Sequence, residues 1–383
     1  MRTVVDHLPS QFFTGILADV AAARALEGPP VIDLGRGNPD LPPPAHAVRA
    51  LQDAAARTAT PAIHGYPPFS GLPALRAAIA ERYAADHGVS LDPDREVAVV
   101  PGTKTGIMLV TLATASAGQA VLLPDPGYPD YHSAVALAGA RAVTLALPDT
   151  AGFQPDLEAV AAERPALVVL NYPSNPCAVA EHPGTFEAAV AYARDRGAVL
   201  LNDLAYGALT FDAPARSVLA VDGACDVAVE LWSASKIYGM AGWRIGFLVG
   251  RADVVARVQT LIDHTTAGVF AAVQHGLLAA LEGPQDSVHA TRETYRRRRD
   301  LLVGALRDAG AQIAAPEGTF YAWWRLPAHL DTATLLRRHR VAVAPGAGFG
   351  PRGAGWVRLS LATPEDQLRE GAARLAAALA AGA

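Results

Sequence analysis

The chain has 383 residues, 51% of them hydrophobic, and a formal net charge of −5 at pH 7. That length allows two or three domains of roughly 100–200 residues, the apolar share excludes a disordered chain, and the charge balance argues against a nucleic-acid partner. Cys177 and Cys225 sit in no CxxC, so neither a zinc site nor a disulfide framework is implied and a reducing cytoplasm fits; the N-terminus, with Asp6 and His7, does not read as a signal peptide, and no apolar run approaches the ~20 residues of a membrane span.

Phe12, Phe13, Ile16, Leu17 and Val20 recur at helical spacing, predicting an amphipathic helix over Leu8–Arg24. Such a helix covers either its own domain or a partner subunit. Ile32 to Asp40, followed by Pro42-Pro43-Pro44, predicts an irregular loop with exposed amides. A helix is expected from Ala45 to Thr58, then a Pro-rich loop from His64 that carries Tyr66 and enters another helix.

From here the pattern becomes regular. Glu96–Val100, Ala120–Leu123, Leu167–Leu170 and Ala198–Asp203 are apolar runs expected to be buried strands, with helical segments such as Thr185–Arg196 between them. This is the βαβ pattern of a largely parallel sheet covered on both faces. Functional residue types follow the strands. Gly102, Thr103 and Lys104 make a turn into a helix N-terminus, where free N–H groups and the helix dipole attract an anion; the spacing is not that of a P-loop, and a plain helix cap is the simpler alternative. Tyr128 offers a flat face on which a ring can stack, although packing explains it equally, as it does Tyr131. Asp203 ends a strand, where α/β sheets place ligand groups, or it caps the next helix.

Two further apolar runs, Val227–Leu231 and Ile245–Val249, bracket Ser233, Ser235, Lys236 and Arg244. A lysine between buried strands is costly to desolvate unless it is used. Lysine alone among side chains forms Schiff bases, and its pKa falls when it is buried or near another cation. Beyond Gly250, helices alternate with strands at Phe320–Trp324, Val341–Ala344 and Gly355–Leu361, a smaller α+β unit. Arg296-Arg297-Arg298-Arg299 lie in a helical pattern and are expected as a solvated face. Arg358 lies within a strand and offers a bidentate fork for a carboxylate.

The run Ser233-Ala234-Ser235-Lys236, a spacer with Met240, then Gly242-Trp243-Arg244-Ile245-Gly246 resembles the lysine motif of the class I/II, fold-type I pyridoxal-phosphate aminotransferases. Gly35-Arg36-Gly37-Asn38-Pro39-Asp40 and Tyr66 with Gly71, Leu75 and Arg76 are similar to two more family elements, and the order of the remaining motifs agrees from Gly35 to Arg358. The resemblance implies a three-layer, mostly parallel large domain (45–275), a small α+β domain (276–383) and an N-terminal arm with an active-site loop (1–44). It implies a pyridoxal 5′-phosphate Schiff base on Lys236, with Lys236 shuttling the Cα proton. Gly102, Thr103, Lys104, Ser233, Ser235 and Arg244 would hold the phosphate, joined by Tyr66 of the neighbouring subunit in a homodimer. Tyr128 would stack on the ring, Asn175 and Tyr206 would contact its 3′-oxygen and Asp203 its nitrogen. Gly37, Asn175 and Arg358 would bind substrate. The implied reaction moves an amino group between an L-amino acid and a 2-oxo acid in the cytoplasm. The alternatives are a non-transaminating enzyme on the same scaffold (a γ-eliminating or ring-forming lyase, or an oxidase) and the aminotransferase-like half of a regulator, for whose DNA-binding domain 383 residues leave no room. The chain departs from the family at Cys177-Ala178, where Thr-Gly is expected, which puts the geometry of that loop in question. Lys104 is a candidate for reaching an acidic distal group of the substrate, and Phe12, Ile16 and the 264–270 loop (His264, Thr265, Thr266, Phe270) are candidates for lining the pocket.

Overall fold

The structure, a computed structural model, describes residues 3–381. After a two-residue strand β1 (Ile32–Asp33), seven strands form the central sheet: β2 (Val97–Val100), β3 (Ala120–Asp125), β4 (Arg141–Ala146), β5 (Leu167–Leu170), β6 (Val199–Asp203), β7 (Ala228–Ser233) and β8 (Gly246–Gly250). Their order is β2-β8-β7-β6-β5-β3-β4. Only β8 runs against its neighbours; the pairings from β4 through to β7 are parallel. The carboxyl ends of β2, β3, β5, β6 and β7 therefore share one edge.

Alternation sets the two faces of the sheet. Val168, Leu170 and Leu200 join one buried cluster, and Leu167, Val169 and Leu201 join the other. Six of the seven strands are expected from the apolar runs. The exception, β4, is an edge strand: Arg141, Ala142 and Thr144 are exposed, so no buried run marks it.

The C-terminal part adds β9 (Tyr321–Arg325), β10 (Val341–Ala342), β11 (Ala344–Pro345) and β12 (Trp356–Ser360). Strands β11, β12 and β9 form an antiparallel sheet, while β10 pairs with β1 in parallel. The single strand expected over Val341–Ala344 is thus two, shared between two sheets, and Pro345, which has no N–H to donate, ends the second.

The N-terminal helix spans Phe12–Arg24 instead of starting at Leu8. Pro9 disfavours helical angles at the residue before it, and Leu8 is extended. The helix packs its Ile16, Val20 and Ala23 against a cluster containing Trp323, Ala342, Ala344 and Phe349. The expected solvated face at Arg296–Arg299 is only half correct. Arg298 and Arg299 are buried. Arg298 pairs with Asp40 at 2.9 Å and donates to the Leu361 carbonyl, which fastens the long helix Asp286–Asp308 to the loop after β1. No described helix is long and apolar enough to cross a membrane.

Candidate active site

The shared strand edge faces a cavity of about 270 Å³ between the central sheet, the C-terminal sheet and the N-terminal helix. Ten sequence-predicted residues line it: Ile16, Gly37, Thr103, Lys104, Tyr128, Asn175, Asp203, Tyr206, Lys236 and Arg358.

Lys236 stands on a one-turn helix, Ala234–Ile237, at the end of β7. Ser233 caps that turn, its Oγ accepting the Ser235 N–H at 3.2 Å. Lys236 Nζ donates to the Gly37 carbonyl at 3.0 Å. Burial, then the charges of Arg358 and Arg244, pull its pKa down to about 8 against the opposing pull of Asp203. A sizeable neutral fraction at neutral pH is what a nucleophilic amine requires.

Asp203 ends β6 at the cavity floor. Burial pushes its carboxyl up to about 6, opposed by hydrogen bonds from the Tyr131 hydroxyl and the Ala205 N–H and by the charge of Lys236. Tyr131 is therefore more than packing. It is buried, and its hydroxyl donates to Asp203 Oδ2. Asn171, which the motifs leave without a role, donates to the Asp203 carbonyl at 2.6 Å and accepts the Asn175 N–H at 2.8 Å. It ties the loop after β5 to the end of β6.

Arg358 is 1% exposed, and among the described residues no carboxylate pairs with it. Its Nη1 donates to Asn175 Oδ1 at 2.8 Å and its Nη2 to the Gly35 carbonyl at 3.2 Å, while Nε has no partner. Three rings surround the guanidinium: Tyr321 at 4.0 Å, Phe349 at 4.7 Å and Phe13 at 5.4 Å. Tyr206 donates its hydroxyl to that of Tyr321 at 3.2 Å. A buried cation without a counter-ion is costly, so this end of the cavity is built for an anion. Gly37 is required here, because a Cβ would run into the Tyr321 hydroxyl and come within 3.4 Å of Arg358 Nη2.

The second anion site lies at the start of helix Thr103–Thr114. Gly102 has φ +80°, and a Cβ on it would stand 2.5 Å from Arg244 Nη2. Arg244, itself at φ +54°, donates to the Ala241 carbonyl at 3.0 Å. A guanidinium held against free helix N–H groups concentrates positive charge at this turn. Lys104, from the same turn, lies 3.0 Å from the Asp130 carboxylate.

The departure at Cys177-Ala178 leaves the loop intact. Ala178 takes the left-handed conformation, φ +59°, that glycine adopts freely. Its N–H donates to the Ser174 carbonyl and its own carbonyl accepts from Glu317, both at 2.9 Å. The left-handed angle costs an alanine about 1–2 kcal/mol; burial of its methyl and the lower entropy of the unfolded chain return a similar amount.

Not every expected pocket residue arrives. Ile16 lines the cavity as expected, but Phe12 turns to Phe349, with ring centroids 5.2 Å apart, and Phe13 and Leu17 line the cavity in its place. The 264–270 loop lies away from it: Phe270 faces His64, and Gly268 packs beside Pro67 and Phe69. Tyr66 is 85% exposed and belongs to no site within its own chain.

A family model, Aminotransferase class I and II, matches residues 29–375. The chain belongs to this family. It is a pyridoxal-phosphate-dependent aminotransferase of fold type I. The aminotransferase is 39% identical to the L-glutamine–4-(methylsulfanyl)-2-oxobutanoate aminotransferase of Bacillus subtilis, covering 97% of this chain and 94% of that protein. It is also 39% identical to the LL-diaminopimelate aminotransferase of Desulforudis audaxviator, covering 97% and 96%. Among solved structures, substrate-bound BacF from Bacillus subtilis superimposes with a TM-score of 0.91 at 34% identity, over 99% of this chain and 98% of that one. A double mutant of Thermus thermophilus aspartate aminotransferase gives 0.90 at 30% identity, over 98% and 100%. The aminotransferase's own geometry suits the cofactor: a buried amine with a lowered pKa, a cationic turn whose glycine cannot carry a side chain, and a carboxylate on the floor.

Proposed function

We propose that Lys236 is the residue that carries pyridoxal phosphate and exchanges the proton at the substrate Cα. Gly102, Thr103, Lys104, Ser233, Ser235 and Arg244 would hold the phosphate; Tyr128 would face the ring, Asn175 and Tyr206 its 3′-oxygen, and Asp203 its nitrogen. When bound, the cofactor supplies an electron sink for the Cα–H bond and the carbonyl that takes up the amino group.

The chain's own residues supply the rest. Arg358, with its orphaned Nε and ring-lined fork, binds the α-carboxylate. Gly37, free of a side chain, lets the substrate lie against that fork. Asp203, ionised above about pH 6, keeps a proton on the ring nitrogen through a charge-assisted bond; a cation placed there lowers its pKa further. Lys236, close to its pKa at neutral pH, takes the proton from the Cα of the amino donor and, in the second half-reaction, gives a proton to the Cα of the acceptor, a role worth roughly 10²–10⁴-fold in rate.

The reading includes a cytoplasmic homodimer in which each copy lends Tyr66 to the other's phosphate, and a division into an arm (1–44), a large domain (45–275) and a small domain (276–383). An 85% exposed tyrosine with no role in its own chain supports the shared site. Related aminotransferases act on glutamine, on diaminopimelate, and on glutamate and pyruvate.

The observation that carries the proposal is one cavity holding a buried amine near pKa 8 and a buried, anion-free Arg358. Borohydride should fix the cofactor to the peptide containing Lys236, and Lys236→Ala should end turnover. A wild-type rate in that variant, or fixation on another lysine, would overturn the assignment.

A further inference from the structure

The residues lining the cavity beyond Arg358 and Lys236 are where the side chain of a substrate must go. They include Phe13, Ile16 and Leu17 of the N-terminal helix, Tyr128, the amide Asn38, and two cations, Lys104 and Arg36. A substrate with a second carboxylate needs one of those cations to be free. Lys104 is not: its Nζ lies 3.0 Å from Asp130 Oδ2. Asp130 is 5% exposed. Its Oδ1 accepts from Gln11 Nε2 at 3.0 Å, and Oδ2 receives no well-aligned hydrogen bond. Lys104, although its side chain is 56% exposed, is the cation paired with that buried oxygen. Turning Lys104 toward a substrate would leave the buried Asp130 carboxylate with hydrogen bonds from Gln11 and the neighbouring Tyr128 hydroxyl but no cation, which raises the cost of that charge. Arg36 is exposed at the mouth, where water screens its attraction for an anion.

The same carboxylate also positions the apolar wall. Gln11 immediately precedes the helix Phe12–Arg24, so its bond to Asp130 fixes the end of the helix that delivers Phe13, Ile16 and Leu17.

We infer that Asp130 is a specificity-determining positioning residue: by engaging Lys104 and Gln11 it reserves the side-chain subsite for amino donors and 2-oxo acceptors with neutral, apolar side chains and disfavours dicarboxylic ones. The inference rests on the site assignment above, in which Arg358 takes the α-carboxylate.

The test uses the holoenzyme and follows conversion of the cofactor absorbance with single donors. Leucine, methionine and phenylalanine are compared with glutamate and aspartate. Wild type should favour the best neutral donor by at least about tenfold in kcat/KM, one ion contact's worth of discrimination. Asp130→Asn keeps an acceptor for Gln11 but releases Lys104, and should narrow that ratio about tenfold; adding Lys104→Met should cancel the gain. A purely structural role would lower all donors together and leave the ratio unmoved. Should Asp130→Asn fail to fold, competitive inhibition of wild type by glutarate against valerate reads the same preference, with valerate expected to bind more tightly. Glutamate or aspartate as the best wild-type donor, an unchanged ratio in Asp130→Asn, or tighter binding of glutarate would overturn the inference. Failure of every donor to convert the cofactor would instead defeat the site assignment.

Discussion

Tyr131 donates its hydroxyl to Asp203 Oδ2 at 2.9 Å, across 72 residues of sequence. The bond favours the ionised carboxylate, whereas burial opposes it. Tyr131→Phe should therefore raise the Asp203 pKa, to above about 6 in the cofactor-free chain, and in the holoenzyme shift its ionisation to higher pH. A hydrogen bond to a charged group contributes about 1.5–3 kcal/mol, so the acid limb of the kcat/KM profile should move up by roughly one to two pH units. An unmoved limb would show that the bond does not tune Asp203.

The crowding of Gly37 against Tyr321 calls for a paired substitution. Gly37→Ala drives a methyl into the Tyr321 hydroxyl and toward Arg358, and KM should rise for every donor. Tyr321→Phe removes the oxygen in the way. The double variant should recover part of the loss, a coupling expected only between residues in contact. Additive effects in steady-state kinetics would contradict the contact.

Arg358→Lys keeps the positive charge and discards the fork. The bonds to Asn175 and the Gly35 carbonyl diverge from one planar group, which an ammonium cannot reproduce. Truncating a buried, hydrogen-bonded charge costs about 2–5 kcal/mol, so kcat/KM should fall by roughly 30-fold or more. A loss below threefold would exclude Arg358 as the carboxylate anchor.

Lys236 also leaves a mark on stability. Its ordinary pKa of 10.5 falls to about 8 in the fold. Between these values the unfolded chain holds the extra proton, so stability rises with pH across that window; below pH 8 both states are protonated and the folded chain bears the whole penalty, at most ~3 kcal/mol. With the cofactor stripped, Lys236→Met should be more stable than the parent at pH 7, and the advantage should shrink between pH 8 and 10. Denaturant titrations at those pH values measure it. A parent as stable as the variant at pH 7 would mean the amine is not desolvated.

The shared-site proposal predicts complementation. Lys236→Ala and Tyr66→Ala protomers, each impaired alone, should regain activity when mixed and reassembled, because a heterodimer contains one site with both wild-type residues. Activity no higher than the sum of the separate proteins would place Tyr66 outside the neighbouring site.

Much of the site is legible in local sequence because chemistry and chain direction coincide there. Gly102, Asp203 and Lys236 each follow the end of an apolar run, and strands running one way bring those ends to one edge. What escaped local inspection is contact between distant segments. Tyr131 reads as packing, Asn171 as part of a loop and Tyr321 as a strand residue until folding sets them against Asp203, Asn175 and Tyr206. The edge strand β4 escaped because a half-exposed strand carries no apolar run, and the burial of Arg298 because its partner Asp40 is 258 positions away.

The sequence by itself determined the family, the sheet-based architecture and which residue types follow the strands, since these depend on periodicity and short motifs that the chain carries locally. Only the tertiary structure decided that Arg358 is buried without an anion, that Lys104 is engaged by Asp130, and that Phe13 rather than Phe12 faces the cavity. Burial and pairing are properties of the space between segments, and the desolvation and Coulomb energies that govern those charges exist only once the segments meet.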